Sequence, residues 1–131
     1  MKTILIINLI VILSYYTCQK QFEPMKETVE LKYGITKIFD DPGLTLRFDS
    51  VADSRCPTDV VCVWEGNAAV SFSFKSGNNE SGFILNTHTG FRTDTLVNGY
   101  RIKLVDLKPL PKHDPPTNPE DYRAEVLITN N

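Results

Sequence analysis

From Ala68 to Lys75 the chain places an apolar residue at every second position. Ala68, Val70, Phe72 and Phe74 alternate with Ala69, Ser71, Ser73 and Lys75. A period of two sorts side chains onto opposite faces of a strand, and no helix can keep such a pattern on one side. The same period recurs along the chain. Val29, Leu31, Tyr33 and Ile35 alternate with polar positions and Gly34, Leu44, Leu46 and Phe48 follow suit, and Tyr100, Ile102 and Leu104 form one face. Ala124, Val126 and Ile128 close the series. No long stretch carries a helical stripe. Turn chemistry separates the runs: D-D-P-G at 40–43, S-G-N-N-E-S-G at 76–82 leading back to Phe83 and Leu85, and Asn98-Gly99 as a two-residue hairpin. Seven or eight short strands at these intervals predict an all-β fold, an antiparallel β-sandwich of immunoglobulin-like size, with a partly open β-barrel as the alternative. Residues 28–131 are long enough for a single domain with one core.

The N-terminal segment reads differently. Lys2 precedes an apolar run from Ile4 to Leu13, interrupted at Asn8. A helix of that length covers about 15 Å, roughly half a bilayer core, so residues 1–17 read as a secretory signal peptide and not as a membrane span. Cys18 follows at once. The flanking L-S-Y-Y-T-C resembles a bacterial lipoprotein cleavage motif, with small Thr17 in register and Tyr15 where the motif carries an aliphatic residue. The reading is lipidation at Cys18; the competing one is ordinary cleavage near Thr17. Residues 18–27 are polar with one proline and read as a tether.

Charge excludes one large class of partner. Lys and Arg number 14 against 16 Asp and Glu, a formal net charge of −2. A nucleic-acid binder would show a basic excess or stripe.

The body contains one distinctive stretch, Asp53 to Gly66. Cys56 and Cys62 lie six positions apart, and Pro57 preorganises the start of the loop between them. A redox pair would be C-x-x-C, and a zinc site needs about four ligands, with only His88 and His113 to add. An exported chain with three cysteines, one of them at the lipidation position, therefore predicts a structural Cys56–Cys62 disulfide. The pattern S-R-C-P-x-x-V-x-C-x-W-x-G, with Y-R-I-K-L-x-x-L-x-P-x-P from Tyr100 and a closing Y-R-A-E-V-L-I strand, resembles a family of small exported bacterial proteins, many with lipoprotein signals. The resemblance covers most of residues 28–129. It implies fold and location and carries no activity.

Within that loop, Trp64 has two readings: a lid packed over the disulfide and the sheet edge, which is the expected one, or an exposed ring for a partner. Arg55 also has two. It pairs with Asp53 or Asp59 or is solvated, or it projects from the braced loop as a protease inhibitor presents its primary residue. Arg55, Pro57 and Trp64 are thus the candidate binding-loop residues. Residues 109–119, P-L-P-K-H-D-P-P-T-N-P, form a stiff surface loop, read as a plain connection or a further binding loop.

No hydrolase, metalloprotease or phosphate-loop motif is present. His88 and His113 fall in apparent loops. An enzyme would need one of them joined in a pocket to a carboxylate or hydroxyl. Asp40-Asp41 reads as part of a turn and not as a calcium loop. Asp49-Ser50-Val51 and Asp94-Thr95-Leu96 match a short acceptor pattern for O-glycosylation that chance also produces. Neither cofactor nor metal is expected. The expected function is a non-catalytic binding module of the bacterial cell envelope. It would be held to a membrane through Cys18, face the periplasm or exterior, and meet an envelope protein or glycan. Its binding surfaces would be the braced cysteine loop, Asn86–Arg92 and the proline loop.

Overall fold

The computed structural model describes residues 24–41 and 43–130. The expected signal peptide and Cys18 lie outside them. The described chain is a β-sandwich with eight strands: β1 (Lys26–Lys32), β2 (Thr36–Ile38), β3 (Leu44–Asp53), β4 (Ala68–Ser76), β5 (Asn79–Asn86), β6 (Asp94–Val97), β7 (Tyr100–Lys108) and β8 (Arg123–Asn130). One sheet has the order β1-β8-β7-β6 and the other β2-β3-β4-β5, and every ladder is antiparallel. The chain meanders around the two sheets in sequence order, yet no ladder joins β1 to β2 or β5 to β6. These two seams make the fold a sandwich and not a closed barrel.

The alternating positions supply the core. Leu44, Leu46 and Phe48 of β3 and Ala68, Val70, Phe72 and Phe74 of β4 face Ile102 and Leu104 of β7 and Ala124, Val126 and Ile128 of β8, all buried. Phe48 and Phe72 meet with ring centroids 5.8 Å apart. Bulges between Phe48 and Ser50 and between Leu104 and Asp106 reset the alternation, so Leu107 also enters the core. The Asn98-Gly99 hairpin forms as its sequence predicts, with φ of 49° and 82° at the two turn residues.

Three details depart from the sequence pattern. The apparent strand Val29–Ile35 stops at Lys32. At Gly34 (φ 72°) the chain turns a corner into the second sheet, and the Gly34 N–H donates to Phe48 O at 2.8 Å. Tyr33 therefore lies edge-on to Phe48 and Ile35 faces solvent. The turn after β4 is only Gly77-Asn78, and Asn79–Gly82 already belong to β5. At the N-terminal side β1 begins at Lys26, inside the stretch read as tether.

The strand directions give the sandwich two distinct ends. Met25, the Asp41–Leu44 turn, Gly77-Asn78, Asn98-Gly99 and Asn130 share one end, where Asn130 N–H donates to Met25 O at 3.1 Å. The other end gathers residues 54–67, 87–93 and 109–122. The ten residues of β3 span the gap, about 30 Å at ~3.3 Å per residue.

Phe72 sits at the centre of this packing, within 5.8 Å of both Phe48 and Phe83. Phe72→Ala is expected to lower unfolding free energy by about 3–5 kcal/mol, measured by urea denaturation.

Candidate functional site

The end opposite Met25 is built on a buried ion pair. Asp53 closes β3, and Arg55 follows two positions later. Their side chains are only 5% and 9% exposed. The Arg55 guanidinium donates to both Asp53 oxygens, at 2.9 Å from Nε and 2.7 Å from Nη2. Its remaining hydrogen bonds reach Leu107 O at 2.7 Å and Pro109 O at 2.8 Å. Tyr122, just before β8, donates its hydroxyl to Asp53 at 2.9 Å. One charge pair thus ties the end of β3 to the end of β7 and the start of β8. Burial alone would raise the Asp53 pKa, but the hydrogen bonds from Arg55 and Tyr122 outweigh it and hold the carboxyl below its ordinary value. Burial and the Asp53 carboxylate push Tyr122 up to about 12.

The cysteine loop rises from this base. Ser54 N–H donates to Asn67 O at 2.7 Å and Cys56 N–H to Glu65 O at 2.9 Å, so both arms are clamped. Gly66 has φ of 75°, and a Cβ there would lie 2.0 Å from Ser54 O, so only glycine fits. Cys56 and Cys62 are bonded, with Cα atoms 5.8 Å apart.

The proline loop docks against it. Thr58 N–H donates to Pro111 O at 2.9 Å. The Asp59 carboxylate accepts from the backbone N–H groups of His113 (2.8 Å) and Asp114 (3.0 Å), and these two bonds lower its pKa. Pro111 is buried, and the bonds before Pro109 and Pro115 are cis. The third loop is held by Asn67, whose amide donates to the Asn86 side chain at 2.9 Å and accepts from His88 N–H at 3.1 Å.

These three loops enclose a cleft of about 390 Å³ lined by Arg55, Glu65, Gly66, Thr87, His88 and Leu110, among others. His88 Nε2 lies 3.1 Å from a Glu65 oxygen, and Nδ1 accepts from Gly90 N–H at 2.9 Å. The Gly90 bond fixes the angle of the ring. Its ring stands 6.2 Å from Trp64 and 5.9 Å from Phe91, making a strip of three rings along the rim. Trp64 and Phe91 are exposed, and so are Val61, Val63 and Leu110.

Several sequence readings are settled by this geometry. Trp64 is no lid: it is 57% exposed and its ring neighbour is His88. Arg55 pairs with Asp53 as one reading held, and it is not presented to solvent, because its guanidinium is consumed by the carboxylate and two carbonyls. Pro57 is half-buried at the loop's foot, where its carbonyl accepts from Val60 N–H. Asp59, considered as an Arg55 partner, holds the proline loop instead. His88 does meet a carboxylate, while His113 is held in the proline loop through its backbone N–H. Among the described residues no group of three or more His, Cys, Asp or Glu is placed to hold a metal. Asn67 and Glu65 were missed, because a lone Asn or Glu beside a glycine carries no sequence signal of a loop partner 19 or more positions away.

The chain was compared with protein-family models, curated proteins and solved structures. It matches none of them.

Asp53→Asn strands the buried Arg55 charge and is expected to cost about 3–5 kcal/mol in urea unfolding. The sign with pH follows from the lowered carboxyl. The wild-type contribution is present above about pH 4 and lost as pH falls through the folded-state value, so the acid limb flattens in the variant. Tyr122 is raised, so its contribution is present below pH 10 and lost as pH climbs towards 12; Tyr122→Phe removes that alkaline limb. Replacing both Cys56 and Cys62 by Ala is expected to cost about 2.5 kcal/mol, seen as a lower Tm with unchanged strand circular dichroism.

Proposed function

We propose that this chain is a non-catalytic binding module of the bacterial cell envelope, anchored by lipid on Cys18 and presenting its three-loop end to an envelope protein or glycan. The arrangement of the two ends carries the reading. The described chain enters the sandwich at Met25, beside Asn130, while six of its eleven exposed large apolar side chains, Trp64 and Phe91 among them, lie on the loops about 30 Å away. A tether at one end leaves the other free to reach a partner. Soluble domains seldom leave several large apolar side chains exposed together without a binding use, and aromatic residues dominate interface hot spots. The support beneath is rigid, with a disulfide, a buried ion pair and the Asp59 clamp all under the rim, which lowers the ordering cost of binding.

The His88–Glu65 pair fits this role better than catalysis. Nδ1 already accepts from the Gly90 N–H, and the carboxylate beside Nε2 belongs to an exposed Glu65 side chain. The nearby Thr87 hydroxyl oxygen accepts from Ala68 N–H and no hydrogen bond joins it to His88. The pair holds the imidazole between Trp64 and Phe91 as part of the strip.

The experiment is capture from envelope extract and on a glycan array, comparing the exported protein with the double variant Trp64→Ala, Phe91→Ala. Both rings are exposed, so Tm is expected to hold while affinity falls about thirty-fold, the equivalent of one hot spot of ~2 kcal/mol. Equal capture by the two proteins, or turnover of a substrate in an unbiased hydrolase screen, overturns the proposal. For the anchor, intact mass of the membrane-bound protein is expected to show acyl chains on Cys18, and Cys18→Ala to release the protein. A soluble mature protein with unmodified Cys18 would remove this part of the reading.

A further inference from the structure

β5 is the outer strand of its sheet, and part of its free side has no partner. Thr87 N–H donates to Ala68 O on the β4 side, whereas Asn86 N–H donates to Arg92 O on the other. Backbone direction alternates along a strand, so Glu80, Gly82 and Ile84 point their N–H and C=O groups away from β4. Arg92 occupies this edge at Asn86. From Glu80 to Ile84 no described residue pairs with it.

The other three outer strands are protected. β1 carries four charges in K-E-T-V-E-L-K, β2 has three residues and β6 has four. β5 has eight residues, a single charge at Glu80 and the run Phe83-Ile84-Leu85. Such an edge templates pairing with another chain.

We propose that β5 pairs antiparallel with β5 of a second copy of this chain, on a two-fold axis through Gly82. In this register Gly82 faces Gly82 of the second copy, and Glu80 faces Ile84. The three outward-pointing residues of one strand meet the same three of the other, so every free donor finds an acceptor. No like charges stand opposite each other. Gly82 itself supports the axis. Its φ lies outside the left-handed region, and a Cβ there would only touch Phe72 O at 3.8 Å, so nothing within one copy calls for glycine.

Charge agrees. Neither Glu80 nor Arg92 makes an ion pair with another described residue. Arg92, Gly82 and Ile84 line one shallow basin on the outer face of the sheet, and Glu80 points to that same face. The pairing sets Glu80 of one copy across from Ile84 of the other, beside Arg92, and does so twice by symmetry. It places the two loop ends at opposite ends of the dimer, each beside the other copy's Met25 end, so a dimer held by both N-terminal sides lies with its strands along the membrane; the pairing does not depend on what the loop ends bind.

The test is crosslinking of the full-length protein, extracted from membranes in mild detergent, carrying Gly82→Cys and treated with a short bis-maleimide. A product of doubled mass is expected. Glu80→Cys, whose two copies lie about 14 Å apart along the ladder, is expected to crosslink at least tenfold less. Adding Glu80→Arg to Gly82→Cys sets like charges beside Arg92 and reduces the product. Ile84→Pro deletes an outward N–H without removing a β4 ladder bond and abolishes it. Sedimentation of the unaltered protein is expected to show a concentration-dependent dimer. A Gly82→Cys protein that stays at monomer mass, equal crosslinking through Glu80→Cys, or a monomer up to millimolar concentration overturns the proposal; capture of an extended segment of another protein at this edge, with no self-crosslink, does so as well.

Discussion

The Asp53–Arg55 pair is the interaction on which the loop end depends. Each sheet of the sandwich has its own ladders, and the apolar contacts between them are non-directional. The ion pair is not. Its four hydrogen bonds from Arg55 and the one from Tyr122 converge on a carboxylate and two carbonyls drawn from β3, the end of β7 and the segment before β8. Directional bonds among buried charges hold a geometry that dispersion alone would leave loose. The cysteine loop then inherits a fixed foot, and through Thr58 and Asp59 it fixes the proline loop in turn. Order is passed outward from the core to the rim.

Much of the scaffold was legible because burial on one face leaves a period of two in the sequence. β4 and β8 follow their alternations residue by residue, and the Asn98-Gly99 turn stands where its chemistry puts it. The pattern misled at Tyr33 and Ile35. Alternation continues on paper through a corner where Gly34 turns the chain out of one sheet and into the other, and no local signal marks the change of partner.

The loop end was legible only in part. The disulfide followed from the arithmetic of three cysteines, and proximity in the chain offered Asp53 as a partner for Arg55 with Asp59 as its rival. What Arg55 does with its other nitrogens was hidden, because backbone carbonyls at 107 and 109 look like every other carbonyl in the sequence. Trp64 was misplaced for a related reason. The ring that faces it belongs to His88, brought there by Asn67 and Glu65 across two loops. Local spacing cannot express that.

The position of β1 has a mechanical consequence. The chain runs from residue 25 straight into β1, which lies alongside β8 from Lys26 to Lys32. A pull between that N-terminal side and the far rim acts parallel to the strands. It loads the whole row of inter-strand hydrogen bonds together, in shear, where a perpendicular pull would peel them one at a time. Resistance to such a pull is set by the rate at which the ladder gives way and not by equilibrium stability. A load applied between those two points would therefore meet the β1–β8 ladder along its strongest axis.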